Sequence, residues 1–390
     1  MTALPRPVVT TAVDSSRPRV LFVITTTDVG GTETVLRELT LRLDRSAFNP
    51  LVCSLCAGGR VAREIVAAGI PVLTLGMADP PRIRELGPAT VRLARLIDHL
   101  EVDLVQAFLY RANVIAGLAA RLSRRRPVVV AGQRSLTPLR GRPAALAARL
   151  TRRFTDHVVA VSDAVRNELI RVEGLDPARI AVIPNGVDTT RYRLADREAA
   201  RAHLGIPTDA FVVAGVGRLS PEKGFHDLIE SAALARGRGV PVQIVLAGDG
   251  PERKRLAAQA TSLGLDGTVR FLGMRTDPAP VYAAADIFAL PSQEEGSPNA
   301  LLEAMACACA VLASNVGGVP AIVEHERSGL LVPPRSPSAF ADALVRLAEQ
   351  PHLRERLGRE ARRQVTTRFS MAAMVDAHAQ LYRRLLAGAA

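Results

Sequence analysis

Asp286-Ile-Phe-Ala-Leu-Pro-Ser-Gln-Glu-Glu-Gly-Ser-Pro-Asn-Ala-Leu-Leu-Glu-Ala-Met-Ala306, continued by Cys-Ala-Cys-Ala-Val-Leu-Ala313, is the stretch from which the fold can be read. The apolar run ending at Leu290 reads as a strand, and residues 310–313 read as the next one. Between them an acidic, Gly-containing turn leads into a helix. Ser297 is a good N-cap, Pro298 suits the first helical position, and residues 300–306 are mostly strong helix formers. The helix therefore opens with unpaired amides facing the turn, and that end attracts anions because the positive pole of the macrodipole coincides with them. Glu295 stands at this mouth and Glu303 lies further along the helix. A ligand carrying both phosphate and hydroxyl groups suits the pair.

Working outward, the same alternation fills most of the chain. Residues 19–25 read as a first strand, followed by Thr26-Thr-Asp-Val-Gly-Gly-Thr-Glu33 and a helix to about Leu43. Further strands are expected at 51–55, 71–75, 103–107, 127–131, 157–161 and 180–183, with helical patterns between most of them. Pro184-Asn-Gly-Val-Asp-Thr-Thr-Arg-Tyr-Arg193 interrupts the pattern as a turn-rich link. It restarts with strands at 211–216, 242–247, 268–272, 286–290, 310–313 and 329–332, and the chain beyond Ser336 reads as helical. This predicts α/β architecture: two doubly wound, Rossmann-like parallel-sheet domains facing across a cleft that receives ligands at strand carboxyl ends. The expected divisions are a disordered tail at 1–18, a first domain at 19–192, a second at 193–370, and a terminal helix at 371–390.

The chain's 390 residues suffice for two such domains. The tail lacks the basic start and apolar block of a signal peptide, and no uncharged run resembles a membrane span, so a cytoplasmic enzyme is expected. Four cysteines are too few and too badly placed for a disulfide framework. Cys53 and Cys56 fall in an expected strand without a second pair at zinc spacing, and read as packing residues. The net charge of +12 is concentrated: residues 121–153 hold ten Arg and no Asp or Glu.

Gly30-Gly31 opens onto a helix but is not G-x-G-x-x-G, and no acid ends the next strand, so a dinucleotide site is unsupported. A purely structural turn is the competing reading. Val216-Gly-Arg-Leu-Ser-Pro-Glu-Lys-Gly224 delivers Arg218 to a strand's carboxyl end and Lys223 to the entry of the next helix. Either cation alone could be a solvated surface residue. Together with the Glu295 loop they suit a diphosphate, because Arg grips two oxygens and both neutralise charge. Gly248-Asp-Gly-Pro-Glu252 reads as a capped strand-to-helix turn. Glu303, in an otherwise apolar helix, needs a partner, and ribose hydroxyls would supply one.

Taken together, Gly30-Gly31, Ile183-Pro-Asn-Gly-Val-Asp188, Gly217-Arg218 with Lys223-Gly224, Gly248-Asp-Gly250, Glu295-Gly296 with Glu303, and Ser314-Asn-Val-Gly-Gly318 resemble the retaining glycosyltransferases of family 4. The resemblance runs from Arg19 to the C-terminus. It implies the GT-B fold, with the last helices crossing back to the first domain, and a hexosyl-type transferase that retains anomeric configuration. On this resemblance Glu303 holds the ribose and Glu295, with Arg218 and Lys223, serves catalysis. Donor-binding positions are Gly30, Gly31, Arg218, Lys223, Glu295, Gly296, Ser297, Pro298, Asn299 and Glu303. Neither metal nor cofactor is implied, since cations and a helix end take that role and no D-x-D motif is present.

The implied partners are a nucleotide-sugar donor and a glycan or lipid-linked acceptor. Residues 121–153, including a weakly amphipathic stretch at 144–154, suggest an anionic membrane surface at the inner face, against the competing reading of a solvated basic face. No nucleic-acid motif accompanies the charge. Two departures stand out. The family often carries His after the fourth strand, where Gln106, Phe108 and Arg111 stand here, and Cys307-Ala-Cys-Ala310 replaces its usual Gly and Pro. If Ala308 must be left-handed, the cost is about 1 kcal/mol. The alternatives are a catalytically silent sugar-nucleotide-binding partner, or an epimerase or phosphorylase on the same fold.

Overall fold

The structure is a computed structural model that describes residues 17–28, 30–136 and 152–388. Its contacts divide the chain into two compact units, residues 1–185 with 372–390, and residues 186–371.

The first unit is built on strands β1 (Arg19–Ile24), β2 (Asn49–Cys56), β3 (Val72–Met77), β4 (Leu104–Phe108), β5 (Val128–Gln133), β6 (His157–Ala160) and β7 (Ile180–Val182). They form one seven-stranded parallel sheet in the order β3-β2-β1-β4-β5-β6-β7. Such a sheet must be covered on both faces, and alternation along β1 provides for this. Leu21 and Val23 pack with Leu93, Ile97 and Ile115 on one face. Phe22 points the other way, its ring centroid 6.4 Å from those of Phe108 and Tyr382. Tyr382 belongs to the C-terminal helix Met371–Ala387, which returns to this unit and also sets Tyr382 edge-on to Phe48 at 6.1 Å.

The second unit holds β8 (Phe211–Val216), β9 (Val242–Ala247), β10 (Val269–Gly273), β11 (Ile287–Leu290), β12 (Ala310–Ser314) and β13 (Leu330–Val332), parallel throughout, in the order β10-β9-β8-β11-β12-β13. Val212 and Ala214 face the helices Asn299–Ala306 and Pro351–Arg368, through Leu301, Met305 and Val365. Val213 faces Phe225–Gly237 and Pro337–Glu349, through Leu228 and Phe340. Where the chain enters and leaves this unit, Val187 N donates to Phe369 O at 2.9 Å and Met371 N to Val187 O at 3.0 Å. One buried ionic knot fastens the sheet's start: Asp286 takes Arg197 and Arg201 at 2.8 Å each and the amide of Val212 at 2.8 Å.

All strand runs expected from the sequence are present, including the strand–helix–strand stretch from Ile287 to Ser314. One local boundary differs. The helix after β11 begins at Asn299, with Pro298 in an extended N-cap position (φ −73, ψ 116) and no side-chain cap, so Ser297 is not its N-cap. Ala308 is left-handed, at φ 59. Among the described residues no helix is long and apolar enough to cross a membrane.

Candidate active site

In each sheet the strand order reverses at one point, between β1 and β4 and between β8 and β11. Crevices at the carboxyl ends of such strands are where open α/β sheets take ligands. In the second unit the loops after β8 and β11 meet there. The turn after β8 passes through Gly217 at φ 156 and a single 3-10 turn, Pro221–Lys223, before Gly224 at φ 65. A Cβ on Gly224 would stand 2.1 Å from Pro291 O, so only glycine lets the two loops touch. They are joined by Gln293 N donating to Glu222 O at 2.8 Å. Behind them the turn after β9 serves as backing. A Cβ on Gly248 or Gly250 would strike the carbonyls of Gly217 or Leu219, and Leu219 N donates to Asp249 O at 2.9 Å. This favours the structural reading of Gly248-Asp-Gly250.

The meeting of the loops brings Lys223 onto Glu295. Lys223 Nζ lies 2.6 Å from Glu295 Oε1, and Ser292 Oγ donates to the same oxygen at 2.7 Å. Glu295 is 8% exposed, a burial that a carboxylate tolerates when paired and hydrogen-bonded. Its backbone carbonyl accepts from Gly318 N at 3.0 Å, which ties in the loop after β12. Arg218 stands exposed beside this pair in chain order, at the end of β8, while Gly296, Ser297 and Pro298 are buried and Asn299 half-buried at the amino end of Asn299–Ala306.

Glu303 is held separately. Tyr282 Oη donates to its Oε2 at 2.6 Å, and Tyr192 also hydrogen-bonds to it. Burial pushes the Glu303 carboxyl above its ordinary range, with the two hydroxyls and the Arg191 guanidinium opposing that rise. Arg191 lies 5.3 Å from the centre of the Tyr192 ring and 3.2 Å from Asp277.

In the first unit, Gly30 precedes the helix Gly31–Arg42, in extended backbone at φ −164. A Cβ there would lie 2.3 Å from Glu33 Oε2, so the glycine makes room for a glutamate folded back over the turn. Burial raises the Glu33 carboxyl, against a hydrogen bond from Thr26 Oγ1 at 3.2 Å and the charge of Arg134. Burial likewise pushes the Arg134 guanidinium down to about 10, and its Nη2 donates to Asn185 Oδ1 at 2.5 Å. The three positions where the family's His is expected have different fates. Gln106 is fully buried, accepting from Tyr382 Oη at 3.2 Å and donating to Val130 O at 3.3 Å. Phe108 stacks in the core, and Arg111 is exposed in the first turn of the helix Tyr110–Leu122. Between them Leu109 adopts φ 71, ψ 155, a region that only glycine enters without strain.

Several of these residues escaped the sequence reading. Tyr192 sits in the turn-rich link and Tyr282 ninety positions later, so no spacing rule connects either to Glu303. The available signal was scarcity, since the chain has four Tyr and two of them meet one carboxylate. Ser292 and Arg134 carried no signal beyond following a strand end, and Glu33 none beyond an acidic residue in a helix's first turn. Two arginines of the basic stretch are paired within the fold. Arg152 is buried against Glu173 at 2.7 Å and donates to Gln133 Oε1 at 2.9 Å, and Arg125 meets Asp103 at 2.8 Å. Of the expected amphipathic stretch, residues 144–151 lie outside the described residues.

Two parallel sheets of this order, each reversing once, give the fold of the GT-B glycosyltransferases. Family models for glycosyltransferase family 4 and for glycosyl transferases group 1 match residues 29–191 and 196–364. The chain belongs to glycosyltransferase family 4. It is 38% identical over 243 residues to the D-inositol 3-phosphate glycosyltransferase of Saccharomonospora viridis, a match covering 60% of this chain and 56% of that one. The corresponding enzyme of Actinosynnema mirum is 39% identical over 53% of this chain and 52% of its own. The chain thus spans about half the length of the curated relatives it matches. Among solved structures, HepE of Anabaena in complex with UDP and glucose is 27% identical, with a TM-score of 0.84 over 94% of this chain and 100% of that one.

Proposed function

We propose that the protein transfers a hexosyl group from a nucleoside-diphosphate sugar to a hydroxyl acceptor, with retention of anomeric configuration and without a metal. The observation that carries this reading is the junction of the β8 and β11 loops, where Lys223 meets Glu295 at 2.6 Å beside the amino end of a helix. Breaking the bond between anomeric carbon and phosphate leaves positive charge on the sugar and negative charge on the departing diphosphate. Arg218, Lys223 and the amides of Gly296, Ser297 and Asn299 stabilise the diphosphate where its charge develops, each well-placed donor contributing roughly 3 to 4 kcal/mol. Both contacts to Glu295 fall on Oε1, which leaves Oε2 to accept a hydroxyl of the transferred sugar. Glu303 receives the ribose hydroxyls. Cations and a helix end perform the charge neutralisation that a divalent ion performs elsewhere. For retention, the acceptor attacks the face the diphosphate leaves, and a phosphate oxygen takes its proton. No histidine is required for that step.

The solved structure of HepE with UDP and glucose makes UDP-sugars the first donors to test. The acceptor proposed from the sequence is a glycan or lipid-linked hydroxyl, and the names of the curated relatives add a polyol phosphate to the acceptors to be tried. A partner role at an anionic membrane face rests on the basic composition of residues 121–153. The deciding experiment measures UDP or GDP release from a panel of nucleotide sugars, with wild type and Glu295→Ala. Turnover of one donor that falls at least a hundredfold in the variant supports the reading. Tight binding without turnover of any donor points instead to a silent binding protein.

A further inference from the structure

A cavity of about 380 Å³ opens in the first unit at the amino ends of β5 and β6, the sheet edge opposite Gly30, and is lined by Arg121, Arg126, Asp156, His157, Arg384 and Leu385. Its contributors are far apart in sequence: the turn before β5, the first residue of β6, and the last turns of the C-terminal helix. Three guanidinium groups face one carboxylate. That carboxylate is occupied in holding the fold, since Asp156 Oδ2 accepts the Val129 amide at 2.8 Å while Oδ1 stays 3.9 Å from Arg121. The turn is sorted by charge as well. Arg125 is drawn to Asp103 at 2.8 Å and its amide to Asp98 at 3.1 Å, whereas the next residue, Arg126, is left-handed at φ 49 and lines the cavity. Val128 and Leu385 supply apolar wall. Burial, with the charges of Arg384 and Arg179, pushes the His157 imidazole below its ordinary value, and an anion in the cavity would reverse that.

We propose that this cavity is a binding site for a phosphate group, distinct from the proposed donor site and independent of it. Arg121, Arg126 and Arg384 grip the phosphate oxygens, His157 adds a hydrogen bond, and the apolar wall receives the carbon skeleton. The volume admits a small phosphomonoester, and the position at the surface also admits the head group of an anionic lipid.

The test titrates the full chain with inorganic phosphate while following the imidazole resonances of His157, and measures sedimentation with phosphatidylglycerol and with phosphatidylcholine vesicles. Arg126→Gln and Arg384→Gln, both exposed and so expected to leave the fold intact by circular dichroism, should each weaken binding roughly tenfold. A saturable His157 shift that raises its titration midpoint, and that weakens in both variants, establishes a site for free phosphate. No phosphate response, but retention on phosphatidylglycerol alone that both variants lose, establishes the same site with a lipid head group as its source. Absence of both responses, or responses that neither variant diminishes, overturns the proposal.

Discussion

Replacing Glu303 by Gln separates the roles assigned to the two glutamates. The carboxylate already accepts from Tyr282 Oη at 2.6 Å and from Tyr192, and the proposed ribose hydroxyls would complete its acceptor capacity. An amide keeps the shape and one acceptor, but it turns an NH2 group towards hydroxyls that need to donate. A hydrogen bond to a charged group contributes about 1.5 to 3 kcal/mol, so losing one weakens UDP binding by about 2 kcal/mol, close to thirtyfold. Stability should move the other way. Because the folded carboxyl titrates above 4.5, the native state holds more protons than the unfolded chain from 4.5 up to the raised value. The stability carried by the protonated form is therefore lost as pH rises through that window, and Glu303→Gln removes the loss. Calorimetric titration with UDP supplies both readouts: affinity for wild type rising with pH as Glu303 ionises, proton release on binding, and neither in the variant. An unchanged dissociation constant in Glu303→Gln, or wild-type binding without proton exchange, would refute the ribose assignment.

Lys223→Met should lower kcat about a hundredfold and leave Glu295 buried without its cation, reducing the melting temperature. Adding Glu295→Gln should restore the melting temperature and not the turnover, as differential scanning fluorimetry with a UDP-release assay can check. Ala308→Gly relieves a left-handed alanine at φ 59 and should raise stability by about 1 kcal/mol in urea unfolding. His378 is buried, bonded through Nδ1 to Met374 O at 2.9 Å, and pushed from 6.5 down to about 4. The unfolded chain then binds the proton first as pH falls, so stability should drop by about 3 kcal/mol between pH 6.5 and pH 4. Urea midpoints against pH should show that slope in wild type and flatten in His378→Gln.

The fold was legible because most strands are short apolar runs ended by glycine, proline or a polar turn, and the longer helices between them, such as Gly31–Arg42, Tyr110–Leu122 and Phe225–Gly237, exceed strand length. Both sheets are buried on two faces, so Val212-Val-Ala214 or Val20-Leu-Phe-Val23 read as continuous apolar runs, and their partition between two cores follows from alternation alone. At the candidate site, Arg218, Lys223, Glu295 and Glu303 were visible as charged residues at strand ends or inside an apolar helix. What stayed hidden depends on tertiary distance. Nothing local marks Gln106 as a core residue, because its burial is compensated by a hydroxyl from Tyr382, 276 positions away. Nothing local joins Lys223 to Glu295 either, since their 2.6 Å contact follows from β8 and β11 being neighbours across the sheet's reversal. The helix start after β11 was misplaced by one residue because Ser297 and Pro298 satisfy the usual preferences equally well one position earlier. Ala308 was singled out only conditionally, because its segment replaces the family's usual Gly and Pro, and at φ 59 it meets that condition.

The central claim is tested most directly by incubating the full chain with an α-configured UDP-sugar and candidate acceptors, glycan, lipid-linked and polyol phosphate, and following the anomeric proton by NMR. The account predicts an α-linked product appearing in step with UDP, and its loss in Glu295→Ala. A β-linked product, or UDP binding with no transfer to any acceptor and no dependence on Glu295, would contradict it.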